Sequence, residues 1–194
     1  LTTWTDLIEE DLPTSFDGLK LSAREVGSVQ IQNRATVVGN ICNASPAADG
    51  VPPLLTLGAR VKIGSMAGER RMPLRDFIQG NRKTALKPGE IVIGVVLPAN
   101  STSGVSSFLK LGARKYLVIS ISMVASRIHV SNGCISDAAI AVGSCSLVAQ
   151  RLLDLESLII GKEATSDVVD LIKEDHFKNL AAIDDVRATK DYRM

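Results

Sequence analysis

The stretch that most constrains this chain is residues 31–49, which reads IQNRATVVGNICNASPAAD. Its β-branched run Thr-Val-Val at residues 36–38 predicts the end of a strand. The next two residues, Gly39 and Asn40, tolerate a left-handed backbone, so the pattern predicts a tight turn there. Small and polar residues then continue to Asp49. They favour a loop whose backbone can approach a ligand closely.

A strand, a glycine turn and a polar loop in this order can cradle a diphosphate or a sugar-alcohol chain. The same pattern also fits an ordinary strand–turn–helix with a polar loop, because glycine turns are common in all proteins. The residue types by themselves leave both alternatives open.

The order of these residues closely resembles the second flavin-binding motif of the medium, FAD-binding subunit of the molybdenum hydroxylases. That family includes xanthine dehydrogenases and carbon monoxide dehydrogenases, and its members read close to IRNxATxGGNxxxASPxxD. Gln32 replaces an arginine of the pattern, and Val38 replaces the first of two glycines. A side chain at Val38 narrows the approach of the backbone to a cofactor. The residues in register are Ile31, Asn33, Ala35, Thr36, Gly39, Asn40, Ala44, Ser45, Pro46 and Asp49.

Two further stretches resemble the same family. Residues 80–98 predict an extended segment, a turn and a buried strand over residues 91–97. The resemblance implies that an apolar residue of this strand, Val92 or alternatively Ile93, lies against the flavin ring. Residues 184–193, DDVRATKDYR, resemble a DxRASxxYR motif that opens the family's last helix. The family's first, glycine-rich FAD motif has no counterpart here, so the resemblance begins partway through the flavin domain.

Lys110 lies between apolar residues at the start of a predicted strand. By pattern alone it is an outward-facing lysine of an alternating strand. The resemblance implies instead that it approaches the flavin, where a cation favours the anionic reduced form. Val118 stands where relatives often carry aspartate or an aromatic residue near the flavin. The candidate cofactor-binding residues are Thr36, Val37, Val38, Gly39, Asn40, Asp49, Val92 and Lys110.

The composition argues against several other functions. A net charge of +1 with 22% charged residues gives no nucleic-acid signature, and no apolar run approaches the ~20 residues of a membrane span. Three widely spaced cysteines without a CxxC pair make a zinc or iron–sulfur site in this chain unexpected. The two histidines have no serine or cysteine partner, so we expect no catalytic side chain. Unpaired thiols suit a reducing compartment, so we expect a cytoplasmic protein.

The predicted fold is α+β in two units. Residues 1–100 are expected to form the second lobe of a PCMH-type FAD-binding domain. Residues 101–194 are expected to form a small antiparallel sheet with helices, as in the carbon monoxide dehydrogenase flavoprotein C-terminal domain. A Ser/Thr/Gly-rich linker is predicted at residues 100–107, and a hairpin turn at Asn132-Gly133. Helical patterns cover residues 1–11, 19–27 (with Leu21, Ala23 and Val26 buried), 147–160 and 168–180.

The resemblance implies an electron-transfer subunit that performs only the FAD step. Electrons would come from a molybdenum cofactor on a large subunit, pass through [2Fe–2S] clusters of a small subunit to FAD, and leave to NAD or another acceptor. The alternative is a degenerate structural subunit that docks partners and binds flavin poorly. Val38 and the absent first motif favour this alternative, whereas the retained polar residues favour flavin binding.

Overall fold

The computed structural model describes all 194 residues as helices packed against antiparallel sheets, which confirms the α+β class. None of its helices has the length and apolarity needed to cross a membrane. The helices are α1 (Trp4–Glu9), α2 (Asp17–Glu25), α3 (Val29–Gln32), α4 (Val37–Asn43), α5 (Val51–Thr56), α6 (Leu74–Phe77), α7 (Leu153–Ile159) and α8 (Lys190–Arg193). The strands are β1 (Arg60–Ser65), β2 (Gly68–Pro73), β3 (Ile78–Gly80), β4 (Lys83–Thr84), β5 (Ile91–Val96), β6 (Val105–Leu111), β7 (Ser122–Ser131), β8 (Cys134–Gly143) and β9 (Gln150–Arg151).

The larger hydrophobic core lies in the first half of the chain. It is built by α1, α2, α4 and α5 around Trp4, Ile41 and Leu54, which are 2% exposed or less. The antiparallel sheet β2-β1-β5 adds Val61 from its central strand. Gly50 is the N-cap of α5, and a Cβ there would clash with the Trp4 ring, so this position has no room for a side chain. The core thereby fixes the backbone next to Asp49.

The second sheet is antiparallel, with the order β6-β7-β8-β9. The predicted hairpin between β7 and β8 is confirmed: Asn132 and Gly133 have φ values of 52° and 77°. Two successive residues with positive φ match the right-handed twist of the flanking strands. Helix α7 covers one end of this sheet through Leu155 and Ile159, which pack with Ile135 in a smaller core.

The two halves of the chain are packed together. Helix α2 lies against β6, and α5 lies against β7 and β8. The buried guanidinium of Arg127 donates from Nε to the carbonyl of Thr56 at 3.0 Å. The predicted linker contains a 3₁₀ turn, Ala99–Thr102, and the first residues of β6. The division at residue 100 remains a prediction about domains.

Two local predictions were wrong in part. Leu21 is 40% exposed, whereas Leu19 and Ala23 form the buried face of α2. Strand β5 lies at a sheet edge and alternates in exposure, because only β1 pairs with it, so the predicted buried strand is wrong. A continuous apolar run does not distinguish an edge strand from a central one.

The predicted C-terminal helices are shorter than their sequence patterns. Within residues 147–160, β9 precedes α7, because Gln150 and Arg151 pair with β8. The segment 168–180 holds two 3₁₀ turns, Ser166–Leu171 and Glu174–Phe177, with no α-helix. The predicted opening of a last helix is confirmed as α8, where the Thr189 hydroxyl accepts from the N–H of Tyr192.

Candidate functional site

Residues 36–38 form the start of helix α4, so the predicted strand end is wrong. Thr36 is extended, with φ −108° and ψ 153°, and its hydroxyl accepts the N–H of Gly39 at 3.0 Å. This is the arrangement of an N-cap, a position at which threonine is favoured. The β-branched run that predicted a strand is therefore a cap followed by the first helical residues. Threonine is itself a favoured N-cap residue, and the strand propensity of the two valines after it concealed this signal.

The predicted glycine turn is also wrong, because Gly39 is helical and exposed. The left-handed residue is Ala44, whose φ of 48° ends α4. At Gly39 the reason for glycine is space. A Cβ there would lie 2.9 Å from the Thr36 hydroxyl oxygen, so any side chain disturbs the cap.

A mostly apolar cavity of about 370 Å³ lies between the start of α4, strand β5 and the N-terminal part of the chain, which contributes Leu1, Thr2, Leu7 and Leu19. Thr36, Val37 and Val38 line it on the helix side, and Ile93 lines it on the strand side. Val92 packs toward the larger core and pairs with Ile63 of β1. The structure thus brings three of the predicted residues together with Ile93, the alternative to Val92.

Asn40 follows on the same turn of α4 and has an unusual environment. Its side-chain oxygen Oδ1 is buried and has no hydrogen-bond partner. A Cβ on Gly50 would lie 3.2 Å from this oxygen, so the amide sits close to the residue after Asp49. Buried polar atoms are normally paired. An unpaired one on a half-buried residue is the kind of group that a polar ligand can satisfy.

Asp49 and Lys110 form a buried ion pair that joins the two halves of the chain. Lys110 Nζ donates to Asp49 Oδ2 at 2.7 Å, and the side chains are 5% and 10% exposed. The hydroxyl of Ser120 donates to Asp49 Oδ1 at 2.6 Å. Burial raises the pKa of Asp49, and the attraction of Lys110 with the two hydrogen bonds opposes that rise. Ser120 is a site residue that sequence reasoning missed, because nothing local marks a serine 71 residues away from its partner.

Lys110 also borders a basic cavity of about 310 Å³. The loop after β6 supplies Arg114, Lys115 and Val118, and α2 supplies Glu25. Lys110 donates a second, longer bond of 3.3 Å to the backbone carbonyl of Glu25. Lys110 is therefore held by two other parts of the chain, the end of α2 and the segment before α5. The alternative of an outward-facing lysine on an alternating strand is wrong.

Comparison with protein families gives two matches in sequence order. A family described as the FAD binding domain in molybdopterin dehydrogenase matches residues 1–100. A second family, the CO dehydrogenase flavoprotein C-terminal domain, matches residues 107–194. The first match covers more than half of the chain.

Individual relatives agree with these families. The xanthine dehydrogenase FAD-binding subunit of Escherichia coli O157:H7 is 29% identical over 195 residues, which cover 100% of this chain and 67% of that protein. The nicotinate dehydrogenase FAD-subunit of Eubacterium barkeri is 32% identical over 153 residues, covering 77% of this chain and 52% of that protein. The chain thus spans between about half and two thirds of the length of these relatives.

A solved structure shows the same fold. The carbon monoxide dehydrogenase from Hydrogenophaga pseudoflava superposes with a TM-score of 0.89 at 24% sequence identity. The match covers 98% of this chain and 67% of the solved chain. At this identity the likeness establishes the architecture, including the helix-and-sheet lobe followed by the small antiparallel sheet.

Proposed function

Because the chain belongs to the family of FAD-binding subunits of molybdopterin dehydrogenases, we propose that it is an FAD-binding electron-transfer subunit of a multi-subunit molybdenum-containing oxidoreductase. The observation that carries the proposal is the cavity at the start of α4. Three motif residues, Thr36, Val37 and Val38, line it within the part of the chain that matches the family.

The two residues of α4 that follow Val38 offer polar groups for a dinucleotide beside the cavity, although neither lines it. Gly39 is exposed beside Thr36, and the Asn40 side-chain oxygen has no partner within the chain. The carboxamide of Asn40 and the hydroxyl of Thr36 would hold the diphosphate and sugar-alcohol part of FAD. Ile93 supplies an apolar wall on the opposite side. Val92 would support this apolar wall from the core side, where its side chain packs.

Asp49 and Lys110 would serve the other end of the cofactor. FAD, when bound, supplies the electron chemistry, and the protein sets its orientation and electrostatic surroundings. Asp49 holds the Lys110 ammonium at a fixed position through a 2.7 Å contact. Each carboxylate oxygen of Asp49 keeps a lone pair that can accept from a sugar hydroxyl. The pair thereby places one cation near the flavin without adding net charge.

The proposed partners follow from this role. A large subunit with the molybdenum cofactor would oxidise the substrate, and a small subunit with [2Fe–2S] clusters would deliver the electrons. NAD or another acceptor would receive them, and the assembly would work in the cytoplasm. Residues 1–100 would form the cofactor lobe, and residues 101–194 would form the domain that supplies Lys110.

A second candidate is a structural subunit that keeps the fold without binding flavin well. Val38 favours it, because this side chain lines the cavity at a position where the family motif has glycine. The two candidates differ in one measurable quantity, the affinity of the chain for FAD.

The deciding experiment is a titration of FAD into the flavin-free chain, followed by flavin fluorescence. We expect saturable binding that Asn40→Ala weakens by about 5- to 150-fold, the range for losing one buried hydrogen bond. Asn40→Ala should leave folding intact, because its Oδ1 has no partner in the chain.

Asn43→Ala is the matched control. This asparagine lies on the same helix, is exposed and bonds to Arg82 away from the cavity. It should not change the affinity for FAD. Binding by Val38→Gly and not by the parent chain would establish the structural-subunit alternative. Absence of binding by both proteins would overturn the cofactor assignment.

A further inference from the structure

A second polar cleft, of about 350 Å³, lies between the loop after α4 and the C-terminal segment. Serine and arginine side chains dominate its lining, and we call it the serine–arginine cleft. Its principal residues are Arg82, Ser120, Ser144, Asp185, Arg187 and Arg193. None of these residues lines the cavity at the start of α4.

The charge of the serine–arginine cleft is positive. Three arginines face a single carboxylate, that of Asp185. Burial opposes ionisation of Asp185, but backbone N–H groups of Arg187 and Ala188 and the guanidinium of Arg193 hold its pKa below the usual value. The Asp185 carboxylate is therefore ionised and already satisfied by its own chain. The surplus of positive charge remains for a ligand.

Two donors in the cleft are buried without a partner. The hydroxyl of Ser144 has no hydrogen-bond partner, although the residue is only 5% exposed. The Nε of Arg193 is likewise unpartnered in a residue that is 7% exposed. The other Arg193 nitrogens are used: Nη1 donates to the carbonyls of Ile121 and Ser144, and Nη2 donates to Asp185. Buried donors left unpaired destabilise a protein unless a ligand or water accepts from them.

We propose that the serine–arginine cleft binds a small oxyanion, either a phosphate group or a carboxylate. Oxyanions accept several hydrogen bonds at once, and guanidinium groups match their geometry. An anion here would accept from Ser144 Oγ and Arg193 Nε. It would also lie beside the exposed guanidinium of Arg187, whose Nη1 donates to Asp185 at 3.1 Å and whose Nε and Nη2 make no hydrogen bond within the chain. This proposal does not rest on flavin binding, because its two unpaired donors, on Ser144 and Arg193, belong neither to the α4 cavity nor to the Asp49–Lys110 pair.

The cleft is also connected to the buried ion pair. Ser120 lines the cleft, and its hydroxyl donates to Asp49. The backbone N–H of Ser144 donates to the carbonyl of Pro46 at 3.1 Å. An anion bound among these residues would therefore strengthen the contact between the loop after α4 and the second sheet.

The test is a titration of inorganic phosphate into the flavin-free full chain at constant ionic strength, maintained with chloride and followed by backbone amide NMR shifts. A parallel titration uses acetate. We expect saturable shifts at Ser144 and Arg193 with at least one of the two anions. Tighter binding of phosphate would identify a phosphate ligand, and tighter binding of acetate would identify a carboxylate.

Ser144→Gly and Arg187→Gln should each weaken this binding by about 5- to 150-fold. Glycine suits position 144, because Ser144 has a φ of 65°, so removal of the hydroxyl should not prevent folding. Arg75→Gln is the control, since Arg75 is a 73% exposed arginine outside the cleft. Absence of saturation with both anions, or an equal loss in Arg75→Gln, would overturn the proposal.

Discussion

Two ion pairs in this chain have the same length, but the pKa values of their carboxyl groups are shifted in opposite directions. Lys110 contacts Asp49 at 2.7 Å, and Arg70 contacts Glu90 at 2.7 Å. The pKa of Asp49 is nevertheless raised, whereas the pKa of Glu90 is lowered from 4.5 to about 2. Each cation favours the ionised carboxylate, so the distance between the charges does not by itself determine the net direction of the pKa shift.

The difference between the two pKa shifts comes from the number of hydrogen-bond donors to each carboxylate and from the contact of each pair with solvent. Glu90 accepts two bonds from the fork of Arg70 and a third from the Lys87 N–H. The Glu90 side chain is only 11% exposed, but its partner Arg70 is 36% exposed and keeps the pair in contact with solvent. Asp49 accepts one bond from Lys110 and one from Ser120, inside the contact between the two halves of the chain. At this buried position, the loss of hydration of the Asp49 carboxylate is the largest effect on its pKa and raises it. The two hydrogen-bond donors lower the pKa but do not outweigh this effect.

Removal of the cation from the buried pair should have the largest effect. Lys110→Met leaves the Asp49 carboxylate buried without its charge partner, and breaking such a pair typically costs about 3–5 kcal/mol. Urea unfolding at neutral pH measures this loss. Lys62→Met is the control, because Lys62 pairs with Glu69 at 2.7 Å on the surface and should cost less than about 1 kcal/mol. Equal losses in the two variants would contradict the contrast between buried and exposed pairs.

Removal of the second donor to Asp49 should have an intermediate effect. Ser120→Ala deletes the 2.6 Å hydrogen bond to Oδ1, and an unsatisfied buried acceptor typically costs about 1–3 kcal/mol. The pKa of Asp49 should rise further, which is measurable by carboxyl NMR titration. Ser136→Ala removes an exposed hydroxyl bonded to the His129 carbonyl and should leave both quantities unchanged. A Ser120→Ala chain with the stability of the parent would show that Lys110 alone sets the environment of Asp49.

The smallest expected effect is on the pH dependence of stability, where the two carboxyl groups should act with opposite signs. The pKa of Glu90 is lowered in the folded chain. Its contribution to the free energy of unfolding is therefore complete above pH 4.5 and is lost as the pH falls toward about 2. The pKa of Asp49 is raised in the folded chain. Its contribution to the free energy of unfolding is therefore present below pH 3.8, the usual pKa of aspartate, and is lost as the pH rises through the pKa of the folded chain.

Urea midpoints measured across this acidic range should separate the two effects. Glu90→Gln should reduce the loss of stability on acidification, and Asp49→Asn should remove the loss that accompanies rising pH. Each variant serves as the control for the other. If both substitutions changed the pH dependence in the same direction, burial would not be the factor that distinguishes the pairs.

Several features of this protein were determined by the sequence alone. The motif over residues 31–49 identified the family and the positions of Thr36, Asn40 and Asp49. The turn at Asn132-Gly133 followed from residues that accept positive φ. These features depend on a few neighbouring residues, whose backbone preferences act within one turn of the chain.

Tertiary structure decided the remaining features. Strand β5 is half-exposed because of its place in the sheet, and Thr36 begins a helix that its β-branched neighbours did not predict. The pair of Asp49 and Lys110 joins residues 61 positions apart, and Ser120 completes it from 71 positions away. Burial and solvent access depend on all the elements that pack around a group, so the direction of the Asp49 pKa shift exists only in the folded chain.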